Sequence, residues 1–273
     1  MTKPYRVGFI GAGNMAAAIA GGMVRKGLYA PNEIIMSNRS QEKLQSLHKG
    51  LGVEAAKDNK ELAAKAELII LAVKPQQFPT VAAEIAPFLA KGQVVVSIMA
   101  GLTLAGVKDA LGDVAVVRVM PNTPAQIGCG MTAICAEEQV PPDVLETVKR
   151  IFDSVGETLV IDEQLMDAVS AVSGCGPAYF YQIIEAVADG GVMVGLPRAM
   201  AYQLAAQTML GAAKMVLESG AHPGALKDQV TSPGGTTIRA VHVMEQHGVR
   251  GALMEAVEAA YSKSQQLGES KKQ

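Results

Sequence analysis

The run Glu67-Leu68-Ile69-Ile70-Leu71-Ala72-Val73 is apolar at every position after the first. A strand with one wet face alternates polar and apolar residues, whereas one without alternation is buried on both sides. Such a strand needs a sheet with helices above and below it, and the rest of the first half supplies one. Arg6–Ile10 reads as an earlier strand followed by a helix over Asn14–Lys26, and Glu33–Ser37 as a second followed by a helix over Gln41–Lys49. Gln93–Ile98, Val114–Met120, Met131–Ala136 and Leu159–Ile161 continue the strands. Apolar strands separated by helices predict an α/β domain of Rossmann type, with a doubly wound, mostly parallel sheet.

After Asp162 the pattern changes. Residues 163–268 hold no strand-like run, and small apolar residues recur at helical spacing. Asp162 is expected to cap a helix reaching about Ser173. Gly174-Cys175-Gly176-Pro177 interrupts it, and Pro177 suits the first turn of a helix reaching about Met193. Further helices are expected over Arg198–Glu218, Ile238–Gln246 and Val249–Leu267, and a polar, frayed tail from Glu269. The reading is a dinucleotide-binding domain over residues 1–162 and an all-α domain over 163–273. Helices such as that containing Ala205, Ala206, Met209, Ala212 and Ala213 carry few charges on some faces, which points to close packing and a subunit interface.

Composition excludes several classes. The 273 residues are 49% hydrophobic and 18% charged, which suits a well-buried globular protein. A net charge of −2 offers no basic field for nucleic acid or an anionic membrane. Three cysteines, Cys129, Cys135 and Cys175, have no metal-ligand spacing and read as reduced thiols of a cytoplasmic protein, with no metal. The stretch Val7–Val24 has no charged side chain, but its glycine clusters fit strand, turn and helix better than a membrane span or a signal peptide.

Gly11-Ala12-Gly13-Asn14-Met15-Ala16 matches G-x-G-x-x-G/A directly after a strand and at the start of a helix. Gly11 permits the tight turn, Gly13 lets backbone approach a pyrophosphate, and Ala16 allows close helix–strand packing. The free N–H groups at the helix start then make an anion site. An NAD site would place Asp or Glu at the end of the second strand. Here Ser37-Asn38-Arg39-Ser40 stands there, with no carboxylate before Glu42. Arg39 can pair with a 2′-phosphate, and Asn38 or Ser40 can donate to it, so NADPH is expected, with NADH a weaker substitute. Ala72-Val73-Lys74-Pro75 and Ser97-Ile98-Met99-Ala100-Gly101 leave the next strands where ligands gather. Lys74 fits either a base or a cation beside the cofactor. Met120-Pro121-Asn122-Thr123-Pro124 either lines a nicotinamide pocket or holds a loop.

In the helical half, Thr231-Ser232-Pro233-Gly234-Gly235-Thr236-Thr237 precedes the Ile238 helix. The N–H groups of Gly234, Gly235 and Thr236 form a potential nest for a carboxylate, and Thr236 and Thr237 add hydroxyls. Equally, a Ser or Thr at this place is a helix cap. His242 lies one turn into that helix and reads as packed or solvated, and Tyr179 as a core aromatic before a cleft residue.

The segment 225–245, Ala-Leu-Lys-Asp-Gln-Val-Thr-Ser-Pro-Gly-Gly-Thr-Thr-Ile-Arg-Ala-Val-His-Val-Met-Glu, resembles the signature of Δ1-pyrroline-5-carboxylate reductases. Gly8–Met15, Ala72–Pro75, Val119–Pro124 and Ser173–Tyr179 are also similar to that family, in its order and spacing. Cys175 stands where serine is common. The resemblance implies NADPH-dependent reduction of 1-pyrroline-5-carboxylate to L-proline, the last step of proline biosynthesis. It also implies a homodimer through the helical domain, with dimers often assembled into rings. Cofactor contacts implied are Gly11, Ala12, Gly13, Asn14, Met15, Asn38, Arg39, Ser40, Asn59, Ala72, Val73, Lys74, Pro75, Met99, Ala100 and Gly101. Substrate contacts implied are Gly234, Gly235, Thr236 and Thr237, with Thr237 proposed to hydrogen-bond the ring nitrogen. Two rivals stand beside it. A β-hydroxy-acid dehydrogenase would use a helical-domain lysine, for which Lys214 and Lys227 are the central candidates, neither in a matching motif. A non-catalytic NADP-binding regulator would not need the substrate nest.

Overall fold

The computed structural model describes residues 3–269. What was expected of the tail past Glu269 lies outside them. In chain order the elements are β1 (Tyr5–Ile10), α1 (Asn14–Arg25), β2 (Ile34–Ser37), α2 (Gln41–Leu51), β3 (Glu54–Ala55), α3 (Asn59–Lys65), β4 (Ala66–Leu71), α4 (Phe78–Ile85), β5 (Val94–Ser97), α5 (Leu104–Leu111), β6 (Ala115–Met120), β7 (Gly130–Ala136), α6 (Pro142–Asp153) and β8 (Gly156–Val160). Helices follow: α7 (Met166–Val169), a π-turn over Ser170–Gly174, then α8 (Gly176–Met193), α9 (Arg198–Ser219), α10 (Pro223–Gln229), α11 (Thr236–Gln246) and α12 (Val249–Glu269).

The eight strands form one sheet in the order β3-β2-β1-β4-β5-β6-β7-β8. All neighbours are parallel except β6 with β7. Two-sided burial drives this arrangement. Val7 and Phe9 of β1, Leu68 and Ile70 of β4, and Val117 and Val119 of β6 enter one apolar core; Ile10, Ile69, Leu71 and Val116 enter the other, on the opposite face. Burying each such side chain stabilises the fold by about 1.5–3 kcal/mol. Gly8 belongs to this packing: a Cβ there would lie 2.7 Å from Ala66 Cβ and Leu62 Cδ2, so glycine lets α3 and β4 press onto β1.

The strand order reverses between β1 and β4, and their carboxyl ends are tied together. Ala72 N–H donates to Ile10 O at 2.8 Å and Ile98 N–H to Leu71 O at 3.2 Å. In a doubly wound sheet this is where a ligand crevice opens.

Two compact units divide the contacts: residues up to Gly174 with those from Ala260 on, and Cys175–Ala259. The first includes the last turns of α12, where Ser264 Oγ donates to Asp167 Oδ1 at 2.7 Å. Asp162 does not cap a long helix as expected. Its side chain makes no cap bond, and a 3-10 turn at Glu163–Leu165, the short α7 and the π-turn take that helix's place. Glu163 is instead drawn toward a buried cation, accepting from Arg118 Nη1 at 3.1 Å and from Leu104 N–H at 2.7 Å. In the second unit the buried core consists of Ala188, Ala201 and Ala205, with Ile184, Val192 and Leu196 packed against it. Meanwhile Met193, Val194 and Leu217 stand more than 80% exposed, at 87%, 83% and 81%. A cluster that small does not cover helices that are apolar on several sides.

Candidate cofactor and substrate sites

The turn from β1 into α1 is shaped by Gly11. Its φ of +102° lies outside the range of ordinary residues, and a Cβ there would sit 2.5 Å from Ala72 O. Its N–H is engaged, donating to Ser37 O at 2.9 Å. Gly13 differs: φ is −78°, and an added Cβ would meet nothing within 4 Å. It caps α1 without any side-chain bond. Among the described residues, no backbone bond uses the N–H groups of Ala12, Gly13, Asn14, Met15 or Ala16. A helix start with free amides and open space at its second glycine fits the pyrophosphate of a dinucleotide.

Beside it lies a cavity of about 250 Å³ whose lining includes Gly11, Asn38, Arg39, Ser40, Asn59 and Val73. The structure thus gathers the expected residues of the β1, β2 and β4 ends, and Asn59, around one space. Lys43 and Gln77 line it too, although the sequence reading singled out neither. Lys43 sits three residues after Ser40, whose Oγ accepts its N–H at 3.4 Å and so caps α2. That register, a capping serine with a lysine in the first helical turn, was the available signal. No Asp or Glu lines the cavity, and neither Arg39 nor Lys43 has an ion-pair partner among the described residues. Two cations without a carboxylate suit a 2′-phosphate and lack the acceptor that a bare ribose 2′-hydroxyl seeks.

Lys74 is exposed and precedes the turn Pro75–Gln77, while Ala72, Val73 and Pro75 are half-buried. Met99 is buried, its N–H donating to Ser97 Oγ at 3.4 Å, and Gly101 takes φ +70°. Asn122 has a holding role: Oδ1 accepts Met131 N–H at 2.9 Å and Nδ2 donates to Ser173 O at 3.1 Å, binding the loop after β6 to the π-turn.

In the second unit, Gly234 adopts φ +68° and Gly235 caps α11 without a side-chain bond. The cap reading of the Ser/Thr residues is therefore not met. Gly235 N–H donates to Ser232 O at 3.0 Å, which takes it out of the expected nest. No backbone bond uses the N–H groups of Gly234, Thr236 or Thr237 among the described residues, as at any helix start that leaves its first amides open. Thr236 is exposed and Thr237 half-buried. His242 is exposed. Tyr179 is half-buried, and burial together with the neighbouring Cys175 thiol pushes its phenol up.

Known proteins match this chain along its length. Residues 6–101 fit the family described as NADP oxidoreductase, coenzyme F420-dependent, and residues 163–267 that described as pyrroline-5-carboxylate reductase dimerisation. The pyrroline-5-carboxylate reductase of Synechocystis is 48% identical over 96% of this chain and 98% of its own. The chain belongs to the pyrroline-5-carboxylate reductase family. The structure of the pyrroline-5-carboxylate reductase from Coxiella burnetii has a TM-score of 0.90 at 36% identity, covering 97% of this chain and 98% of that one. A Plasmodium falciparum pyrroline carboxylate reductase solved with NADP bound gives a TM-score of 0.88 at 33% identity, over 98% and 100%. The pyrroline-5-carboxylate reductase fold therefore accounts for both halves, an α/β cofactor domain and a helical dimerisation region. Among the described residues no helix is long and apolar enough to cross a membrane, and no cluster of His, Cys, Asp and Glu is arranged to hold a metal.

Proposed function

We infer that this protein reduces the C=N bond of 1-pyrroline-5-carboxylate with NADPH, giving L-proline, the last step of proline biosynthesis, and that it does so in the cytoplasm. The observation that carries the reading is likeness through the whole length: 48% identity to a pyrroline-5-carboxylate reductase spans cofactor half and helical half alike. NADPH, when bound, supplies the hydride that adds to the imine carbon.

The chain's own residues bind and orient. The amides from Ala12 to Ala16 receive the pyrophosphate, with Gly13 leaving the space it needs. Arg39 and Lys43 take the 2′-phosphate, which favours NADPH over NADH. Asn38, Ser40, Asn59, Ala72–Pro75 and Met99–Gly101 complete the cofactor contacts. The amides of Gly234, Thr236 and Thr237, at the positive end of α11, grip the substrate carboxylate. Gly235 shapes that turn. The Thr237 hydroxyl hydrogen-bonds the ring nitrogen. A protonated iminium accepts hydride far better than a neutral imine, and a threonine hydroxyl is too weak an acid to protonate the nitrogen, so Thr237 orients it toward a proton arriving through water. Holding the reacting partners in register supplies on the order of 7–11 kcal/mol of the barrier. No residue needs to act as a nucleophile.

The protein is a homodimer through the helical region, which covers the apolar side chains its own small core leaves out. We propose that the dimers further assemble into a ring.

Loss of nicotinamide absorbance on adding pyrroline-5-carboxylate, with proline recovered, tests the reading. Silence with this substrate and oxidation of NADPH by a β-keto acid would hand the site to the hydroxy-acid alternative. Silence with both, despite NADPH binding, would leave the regulator.

A further inference from the structure

Ser37, at the end of β2, is buried and donates from Oγ to Asn59 Oδ1 at 2.7 Å. Asn59, the first residue of α3, donates from Nδ2 to Glu84 Oε2 on α4 at 2.8 Å. These residues are 22 and 25 positions apart in the chain, so the network belongs to the fold and not to one turn. Asn59 lines the cavity with Asn38, Arg39 and Lys43, whereas Glu84 does not.

The two partners constrain the Asn59 amide unequally. A serine hydroxyl both donates and accepts, so Ser37 is satisfied by either end of the amide. A carboxylate only accepts, so Glu84 requires the nitrogen and would repel the carbonyl. Glu84 alone therefore decides which way the amide faces. In that orientation Nδ2 keeps a second hydrogen with no partner among the described residues. Turned over, the same position would present a carbonyl oxygen. A donor there attracts a phosphate; a carbonyl repels it and accepts from a hydroxyl.

We propose that Glu84 is a positioning residue for cofactor choice: by fixing the Asn59 amide as a donor it favours a 2′-phosphate over a 2′-hydroxyl. The proposal rests on the reading that Asn59 meets the adenosine end of the cofactor.

The test is calorimetric binding of NADP⁺ and NAD⁺ to the intact dimer, for wild type, Glu84→Gln, Glu84→Asp and Asn59→Ala. Glutamine keeps the size and the hydrogen bond but pairs with either face of the amide. Aspartate keeps the charge and withdraws the acceptor by one methylene. Both should weaken NADP⁺ about two- to fourfold, because an amide left free to turn presents its donor only part of the time, and leave NAD⁺ unchanged or slightly tighter. Unchanged NADP⁺ affinity in Glu84→Gln would mean Glu84 only packs, and tighter NADP⁺ binding would mean its charge repels the phosphate; either overturns the proposal. Equal weakening of both nucleotides also overturns it. Should Asn59→Ala weaken NADP⁺ while neither Glu84 variant does, the proposal alone fails. Should Asn59→Ala change nothing, the cofactor reading of Asn59 falls with it.

Discussion

The two glycines of the fingerprint should fail in opposite ways when each gains a methyl group. At Gly11 the new Cβ lies 2.5 Å from Ala72 O and 2.8 Å from Ala72 C, both backbone atoms, so the β4 end or the turn must move. The φ of +102° adds strain that no side chain relieves. Positive-φ strain of about 1–2 kcal/mol and overpacking of about 1–3 kcal/mol together predict a loss of roughly 2–5 kcal/mol. For a chain of this size that lowers the melting temperature by roughly 5–15 °C. At Gly13 the Cβ meets nothing within 4 Å and φ is ordinary, so Gly13→Ala should lose only the preference of a helix cap for glycine over alanine, about 1 kcal/mol or roughly 2–4 °C. On the proposed cofactor reading the space it fills is the one the pyrophosphate needs, so NADPH affinity should fall at least tenfold, about 1.4 kcal/mol. Differential scanning calorimetry at fixed protein concentration and fluorescence titration with NADPH read the two effects separately. Equal destabilisation by both substitutions, or normal NADPH binding by Gly13→Ala, would refute the division of labour.

Thr237→Ala should lower kcat/KM for pyrroline-5-carboxylate roughly tenfold to over a hundredfold, the worth of one hydrogen bond of about 1–3 kcal/mol, and leave NADPH affinity unchanged; steady-state kinetics with wild-type values would remove Thr237 from the reaction. Arg118 is buried, its side chain 5% exposed, with Nε unpartnered and Glu163, 31% exposed, as its ion-pair partner. Glu163→Ala strands that cation and should cost roughly 2–3 kcal/mol, below the full range for a buried pair because Glu163 is partly solvated, whereas Arg118→Met should be near neutral; urea unfolding that ranks them in the reverse order contradicts this. Burial, with Glu163 nearby, pushes the Cys135 thiol up to about 12, so at pH 8 it stays protonated. The Cys129→Ser/Cys175→Ser double variant should then not react with a disulfide reagent until unfolded, and rapid labelling of the native form would count against it.

What the sequence made legible follows from where water is excluded. β1, β2 and β4 to β7 were readable because both faces are largely dry, so each is a mostly apolar run; β3, two residues that are half-buried and exposed, was not singled out. β8 was found only at its end, from Leu159, because its residues are half-buried or exposed. α3, with seven residues, and α4, with eight, are too short to establish a period and were not singled out. Asp162 stands before a 3-10 turn but makes no cap bond and opens no long helix, since the chain there turns to bring Glu163 to Arg118, a buried residue 45 positions earlier. The fingerprint was enough to give Gly11 the turn and Gly13 the pyrophosphate, but the close approach of Gly11 to Ala72 O, which forbids a Cβ, is a distance no local pattern encodes. For the same reason Glu84 was invisible: its effect reaches the cavity through Asn59.

The helical region shows a different limit. α9 runs for 22 residues, yet only Ala201 and Ala205 are buried, while Leu204, Leu210, Met215 and Leu217 are exposed on the single chain. Its apolar residues surround the axis, so periodicity could identify a helix but not a buried face. A helix of that kind is stable only when covered on several sides, and six side chains of its own unit cannot do it. The low charge that the sequence displays in this region therefore records contacts made by a second copy of the chain. It is a property of the dimer written into the monomer's composition, which is why periodicity in one chain located the helices of this region but not the faces they bury.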